Sequence, residues 1–216
     1  MSKEKTPLNV IEAIEKVKKT CKCNFDSTIE VHLNVALDPK KQDQQIRVTT
    51  SLPYGTGKTK KVAVMAAKPV KNADIELSED DLKKIESGTL KPGTDFDAVV
   101  VEPSYMPKIA RVAKILGPKG MMPNPKSGTV TENVEQTVNE IKKGKVEIKM
   151  EQTTPIIHTI IGKKSFDTNS LAENLKEVIT TLRQNKPQKA KPDWLKECYI
   201  SSSMSPSVLV DLSTVK

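Results

Sequence analysis

Aromatic side chains are scarce in this sequence: three Phe, three Tyr and one Trp, or 3% of 216 residues. A core must therefore be filled by Val, Ile, Leu, Ala and Met. So few rings also argue against a protein that stacks successive bases of a single strand. No stretch approaches the roughly 20 apolar residues of a membrane span. The opening MSKEKTPLNV has neither the apolar centre of a signal peptide nor the Arg-rich, acid-poor character of a transit peptide. Cysteine is limited to Cys21, Cys23 and Cys198, an odd number that suits a reducing cytosol. Cys21 and Cys23 form a C-x-C pair that would begin a metal site. A closed zinc site takes four ligands, however, and the other candidates, Cys198, His32 and His158, are scattered. Free thiols, with no metal and no cofactor, are the better reading.

One further absence is local. Between Pro103 and Thr131 there is no Asp or Glu, while Lys108, Arg111, Lys114, Lys119 and Lys126 fall there. Within that stretch, ILGPKGMMPNPKSGTVT (115–131) holds Gly117, Pro118, Gly120, Pro123, Pro125 and Gly128, which exclude ordinary helix or strand. Met121 and Met122 sit at its centre, where a plain linker would be polar. A rigid, acid-free loop with apolar anchors is a surface shaped to meet a polyanion. The formal net charge of +8 and pI near 9.2 point the same way. Nucleic acid is the commonest such partner, although charge alone also fits membrane surfaces and acidic proteins.

Hydrophobic periodicity divides the chain. Asn9 to about Thr20 reads as a helix, with Val10, Ala13 or Ile14, and Val17 on one face and Asn9 with Glu12 at capping spacing. Ile29, Val31, Leu33 and Val35 alternate with polar residues as a half-buried strand, and Ile46–Leu52 predicts a second. VAVMAA (62–67) and FDAVVVEP (96–103) are continuous apolar runs, as in strands covered on both faces. Helical segments over 78–87, 104–116 and 131–143 alternate with them, the last stopped by Gly144. After Gly144, Val146, Ile148 and Met150 share a face and IIHTII (156–161) predicts another strand. A helix over 170–183 starts from a Ser170–Glu173 box, NKPQKAKP is a basic linker, and CYISSS and PSVLVDL close the chain as strands. The pattern predicts two domains of mixed class. A discontinuous α+β domain I (1–54 and 145–216) is made from both chain ends, and a Rossmann-like α/β domain II (55–144) is inserted in it. Two chain crossings, at Gly55 and Gly57 and at Gly144, form a natural hinge.

The remaining motifs carry little catalytic chemistry. GTGKT (55–59) tempts toward a phosphate-binding P-loop, but Leu52 stands where that motif needs glycine, and a strand rather than a helix follows. A nucleotide-dependent enzyme on the α/β domain is therefore the unlikely alternative. His158 has no Ser or Cys arranged as a nucleophile beside it. Asp74, Glu76, Glu79, Asp80 and Asp81 read as a solvated acidic face near a helix start. SSSMSPS (201–207) reads as a hairpin turn, or as small donors placed close to sugar and phosphate. Phe25, at the head of FDSTIEV, reads as core.

Together, ILGPKGMMPNPKSGTVT, FDSTIEVHLNVALDPKKQDQQIRVTTSLPYGTGK, FDAVVVEP, IIHTIIGKKSF and SSSMSPS resemble the ribosomal protein L1 family of the large subunit, bacterial type. The likeness runs in order from Phe25 through nearly the whole chain, and is weak before Lys22. It implies a non-enzymatic constituent of the large ribosomal subunit. Such a protein binds the stalk region of large-subunit rRNA and forms the head of the mobile stalk near the E site. It assists release of deacylated tRNA from that site, and represses translation of its own mRNA. Its partners would be that rRNA, E-site tRNA, its own messenger and other components of the subunit, in the cytoplasm and with no membrane. Carried over by motif, the rRNA contacts fall on Phe25, Thr28 and Glu30, on Lys149, Thr153, Thr154 and His158, and on Ser203, Met204 and Ser205. Lys114, Lys119 and Lys126 would supply secondary RNA contacts from domain II. Ser205 stands where the family has glycine, which puts a positive φ or a close backbone approach in question. The loop 150–155 is one residue longer than usual and lacks a basic residue, for which Lys149, Lys163 and Lys164 would compensate.

Overall fold

The computed structural model describes residues 6–67, 69–70, 72–188 and 190–215, with the side chains of Gln42, Glu79 and Lys126 outside the description. In chain order the elements are α1 (Val10–Thr20), β1 (Thr28–Val35), β2 (Arg47–Ser51), β3 (Val62–Met65), β4 (Ile75–Glu76), α2 (Glu79–Glu86) and β5 (Ala98–Val101). They continue with α3 (Met106–Ile109), α4 (Ala113–Leu116), α5 (Val134–Lys143), β6 (Lys145–Met150), β7 (Ile156–Lys163), α6 (Thr168–Gln184), β8 (Leu195–Ser202) and β9 (Val208–Val210). The chain is of mixed α and β content. It divides into two compact units, one of residues 1–57 with 146–216 and one of residues 58–145. Gly55 and Gly57 thus lie inside the first unit, held there by their contacts. The Gly55 carbonyl accepts from Asn174 Nδ2 at 3.1 Å. A Cβ at Gly57 (φ +71°) would fall 2.8 Å from Lys163 Cγ.

The first unit is one six-stranded sheet in the order β2-β6-β7-β1-β8-β9 with α1 and α6 packed on it. Strict alternation in β1 buries Ile29, Val31, Leu33 and Val35 and turns Thr28, Glu30, His32 and Asn34 to the opposite face. The buried side is completed by Ile157 and Ile161 of β7, Cys198 and Ile200 of β8, and the stripes Val10, Ala13, Ile14, Val17 and Leu171, Leu175, Val178, Leu182. Helix α6 begins earlier than the capping box at Ser170 predicts. Asp167, itself extended, is its N-cap and accepts from the amide of Asn169 at 3.3 Å, so the helix opens at Thr168. Asn9 occupies the N-cap of α1, but its side chain makes no capping bond.

The second unit has a three-stranded parallel sheet, β4-β3-β5, with a hydrophobic cluster on each face. All four residues of β3 are buried, which is why VAVM reads as a continuous apolar run. Ser78 and Asp81 form a reciprocal capping box on α2. The single helix predicted over 104–116 is instead α3 and α4 joined by a 3-10 turn, with another 3-10 turn before them. Pro107 supplies no N–H and crowds the carbonyl one turn back, so the segment advances in short turns that keep Ile109, Val112 and Leu116 buried. Gly144 ends α5 in the left-handed conformation (φ +114°), its N–H returned to the carbonyls of Glu140 and Ile141.

Candidate nucleic-acid interface

With α1 and α6 packed on one side of the first unit's sheet, the residues on the other side form rows across the strands. Register places Lys149 of β6 opposite His158 of β7, His158 opposite His32 of β1, and His32 opposite Tyr199 of β8. The next row joins Ile160, Glu30 and Ser201, and the one after it Lys163 and Thr28. Lys149 and His158 are exposed, and Glu30, Thr28 and Ser201 half-buried. Strands remote in sequence thus bring Thr28, Glu30, Lys149 and His158 onto one face.

Phe25 lies at the end of this face and is 55% exposed, not in the core. The cause is the anchoring of its neighbours. The Asp26 carboxylate accepts from the amide and hydroxyl of Ser165 at 3.0 and 2.9 Å and Ser27 is buried, so the chain is pinned just after Phe25 and its ring stays in solvent. Lys163 Nζ bridges the Asp26 carbonyl (3.3 Å) and Thr28 Oγ1 (3.0 Å), while Lys164 Nζ reaches the Cys21 carbonyl at 2.9 Å.

At the same end, β8 turns at 203–205. The Ser203 amide donates to the Thr28 carbonyl (3.1 Å), and Ser205 closes the turn twice, amide to the Ser202 carbonyl and hydroxyl from the Ser202 amide, both at 2.9 Å. The left-handed backbone that the family glycine suggests for Ser205 falls one residue earlier. Met204 has φ +62° and is 90% exposed. Ser205 keeps negative φ because its own side chain completes the turn.

Beneath the turn, Cys21 Sγ lies 3.1 Å from Ser27 Oγ and 3.3 Å from Ser202 Oγ, and Cys23 Sγ is 3.3 Å from the Ser203 carbonyl. The hydroxyls of Ser202 and then Ser27 draw the Cys21 thiol down to about 6, against the effect of burial. Burial alone pushes Cys198 up to about 12. Among the described residues no group of three or more His, Cys, Asp or Glu could hold a metal ion.

The loop between β6 and β7 carries Thr153, exposed, and Thr154, whose hydroxyl donates to Glu151 Oε2. Glu151 Oε1 is 3.5 Å from His158 Nε2. The two imidazoles meet edge to face with Nδ1 to Nδ1 at 2.7 Å, and His32 Nε2 is 2.9 Å from Ser201 Oγ. Burial, then the charge of His158, lowers the pKa of His32, with Glu30 opposing. Sequence reasoning missed His32, Tyr199 and Glu151 as parts of this face. The signal for His32 was its place in the same alternating set as Thr28 and Glu30.

The second unit carries the acid-free stretch separately. Met121 and Met122 pack against the cluster of Ile109, Val112 and Leu116, and Pro123 is buried. Arg111 and Lys114 are exposed, Lys108 Nζ sits 4.9 Å from the Tyr105 ring centre, and Lys119 Nζ donates to the Pro92 carbonyl. The Lys126 side chain lies outside the described residues. Within GTGKT, Lys58 pairs with Asp97 at 3.1 Å and the chain leads into β3, not a helix.

The first unit thus presents a polar sheet face bearing lysines, imidazoles and hydroxyls, with one methionine projecting from its edge. Residues 17–206 match the Ribosomal protein L1p/L10e family. Among curated relatives, the "Large ribosomal subunit protein uL1" of Phytoplasma australiense is 44% identical over 99% of this chain and 93% of its own length. Proteins of the same name from Prochlorococcus marinus (strain MIT 9303) and Synechococcus sp. (strain WH7803) are 42% and 40% identical, each over 95% of this chain and 88% of their own. The chain belongs to the ribosomal protein L1 family, bacterial type.

Proposed function

We propose that the chain is a structural constituent of the large subunit of the cytoplasmic ribosome, and that the open sheet face of its first unit binds large-subunit rRNA. The observation that carries this reading is the grouping of Phe25, Thr28, Glu30, Lys149, His158 and the Ser203–Ser205 turn on one surface. A-form RNA is gripped through ribose hydroxyls and phosphates across its wide minor groove. Small hydroxyls, backbone amides and lysines suit those groups, and Met204 supplies an apolar contact on the sugar surface. On this reading the first unit corresponds to domain I, expected over 1–54 and 145–216, and the second to the inserted, Rossmann-like domain II. Its exposed Lys114 and Arg111 make secondary contacts to stalk RNA or E-site tRNA. The finer roles follow the family resemblance: head of the mobile stalk, help in releasing deacylated tRNA, and repression of the chain's own messenger.

Met204→Asp tests the placement. The residue is exposed on a turn, so the fold survives while a carboxylate is set against phosphate. Affinity for large-subunit rRNA in a filter-binding titration is expected to fall about tenfold or more, one unit of charge repulsion and lost apolar contact being of order 1.4 kcal/mol. Equal affinity of variant and parent would refute it. Binding must also weaken steeply with salt, because phosphate contacts release counterions. A flat salt titration counts against a polyanion partner.

A further inference from the structure

A continuous chain of side-chain contacts crosses the centre of the sheet face: Thr154, Glu151, His158, His32 and, diagonally, Ser201. It runs from the β6–β7 loop through β7 and β1 to β8, and its geometry constrains its protons. A gap of 2.7 Å between two Nδ1 atoms holds one hydrogen, since an N–H on each side would collide and repel. The Glu151 carboxylate, 3.5 Å from His158 Nε2, only accepts and so favours a hydrogen on that nitrogen. In the uncharged pair His158 Nδ1 is then the acceptor, His32 Nδ1–H the donor, and His32 Nε2 accepts from the Ser201 hydroxyl. The two histidines therefore hold opposite tautomers, His32 as Nδ1–H and His158 as Nε2–H.

The same heavy-atom arrangement accepts one more proton. With His158 carrying both hydrogens, its Nδ1–H donates to His32 Nδ1, and His32 Nε2–H now donates to Ser201 Oγ. A second extra proton would place two hydrogens in the 2.7 Å gap and break the pair. Lys149 on β6, Glu30 on β1, Tyr199 on β8 and Glu151 in the loop face this row, with Glu197 of β8 bonded to Asn34 in the row beyond. Lys163, two rows the other way, is the second cation among the described residues of this face. Around the imidazoles three carboxylates thus outnumber two ammonium groups, and a phosphate laid on the row gains from one added positive charge.

We propose that His32 is the positioning residue for His158, and that the two act as one proton-sharing unit of the RNA surface which takes up a single proton when RNA binds. This rests on the RNA-binding reading above. His32 holds the rotation of His158 by donating to its Nδ1, and its half-buried side chain makes it a support and not a contact.

The test has two arms on the full chain. In the free protein, histidine side-chain nitrogen NMR near neutral pH is expected to give one Nδ1–H and one Nε2–H tautomer, and in His32→Gln only the Nε2–H tautomer of His158 remains. Two Nε2–H tautomers in the parent overturn the proposal. The second arm measures affinity for large-subunit rRNA from pH 5.5 to 8 at constant salt. By linkage, affinity of the parent rises as pH falls, with a limiting slope of about tenfold per pH unit for one proton. His158→Gln flattens the profile. His32→Gln displaces it and lowers affinity about three- to tenfold, since a mobile imidazole loses preorganisation. Lys149→Gln, which removes a phosphate contact, shifts the profile down in parallel. A flat parent profile with the salt slope intact, a slope near two, or a His32→Gln profile superimposable on the parent's each overturns the proposal while leaving RNA binding standing. Absence of binding by the parent at low salt overturns both.

Discussion

Asn174→Ala should destabilise the first unit by about 3 kcal/mol, from three hydrogen bonds at about 1 kcal/mol each. Asn174 is fully buried within the apolar stripe of α6. Its amide donates to the carbonyls of Ile161 (2.8 Å) and Gly55 (3.1 Å), and its carbonyl accepts from the Tyr54 amide (3.1 Å). Truncation removes all three at once. Gly55 and Tyr54 are partly exposed and recover water, but the Ile161 carbonyl lies in the sheet beside a fully buried side chain and bears the larger desolvation cost. The assay is urea unfolding followed by Trp194, the one tryptophan in the chain, 2% exposed in the same core as α6. Its fluorescence reports the first unit without contribution from the second. With a slope of about 1–3 kcal/mol per molar urea, the midpoint falls by about 1–3 M. Asn174→Asp sharpens the test. The carboxylate would face two carbonyl oxygens, so burial raises its folded pKa above the unfolded value. The penalty is then absent below the unfolded pKa and grows as pH rises through and above it. A loss under about 1 kcal/mol for Asn174→Ala, or a pH-independent Asp variant, would show that the polar bridge contributes little.

Three further outcomes follow from local geometry. Met204→Gly should raise stability by about 1 kcal/mol, because glycine occupies φ +62° without the Cβ penalty, while lowering RNA affinity through loss of the exposed side chain; an unchanged unfolding midpoint would refute the strain. Thiolate absorbance should reveal a single thiol titrating at about 6, lost in Cys21→Ser, and Cys198 silent to about 12. Because the folded pKa of Cys21 is lowered, its contribution to stability is present above the unfolded pKa and lost as pH falls toward 6, so Cys21→Ser should flatten that dependence. Gly57→Ala combines φ +71° with a Cβ 2.8 Å from Lys163 Cγ and 2.9 Å from Phe166 Cε1, and should cost about 1–3 kcal/mol; a neutral result would mean that both side chains yield freely.

Periodicity revealed what repeats and missed what occurs once. The alternation of β1 and the all-buried run of β3 were legible because strand burial has period two or none. The helix expected over 104–116 was not, since apolar spacing is the same for a continuous helix and for short turns punctuated by Pro107. Asn174 occupies a core position of a readable stripe, and a lone polar residue there is a signal that went unused. The sheet face divides the same way. Thr28 and Glu30 come with their strand, but His32 meets His158 only through a register spanning 126 positions. Phe25 shows the limit of composition: its exposure depends on the bonds of Asp26 to Ser165, which no local pattern encodes.

Met204 concentrates two local costs that folding alone does not require. A methionine at positive φ is strained by about 1 kcal/mol, and one exposed at 90% buries almost none of its apolar surface. The surrounding bonds nevertheless fix the turn from several sides: Ser203 to Thr28, Ser205 twice to Ser202, and Cys23 to the Ser203 carbonyl. A turn held so firmly in an unfavourable conformation, with its one large side chain directed outward, fits the RNA contact proposed for it. Serine at 205 does not relax this arrangement, because the positive φ lies at 204 and the serine hydroxyl adds a bond that glycine lacks. The expected consequence is that Ser205→Gly loosens the turn and weakens RNA binding, although it restores the residue usual in the family. Tighter binding by Ser205→Gly in the rRNA titration would mean that the hydroxyl hinders a close approach of the RNA to the backbone, and that the rigidity of the turn does not serve binding.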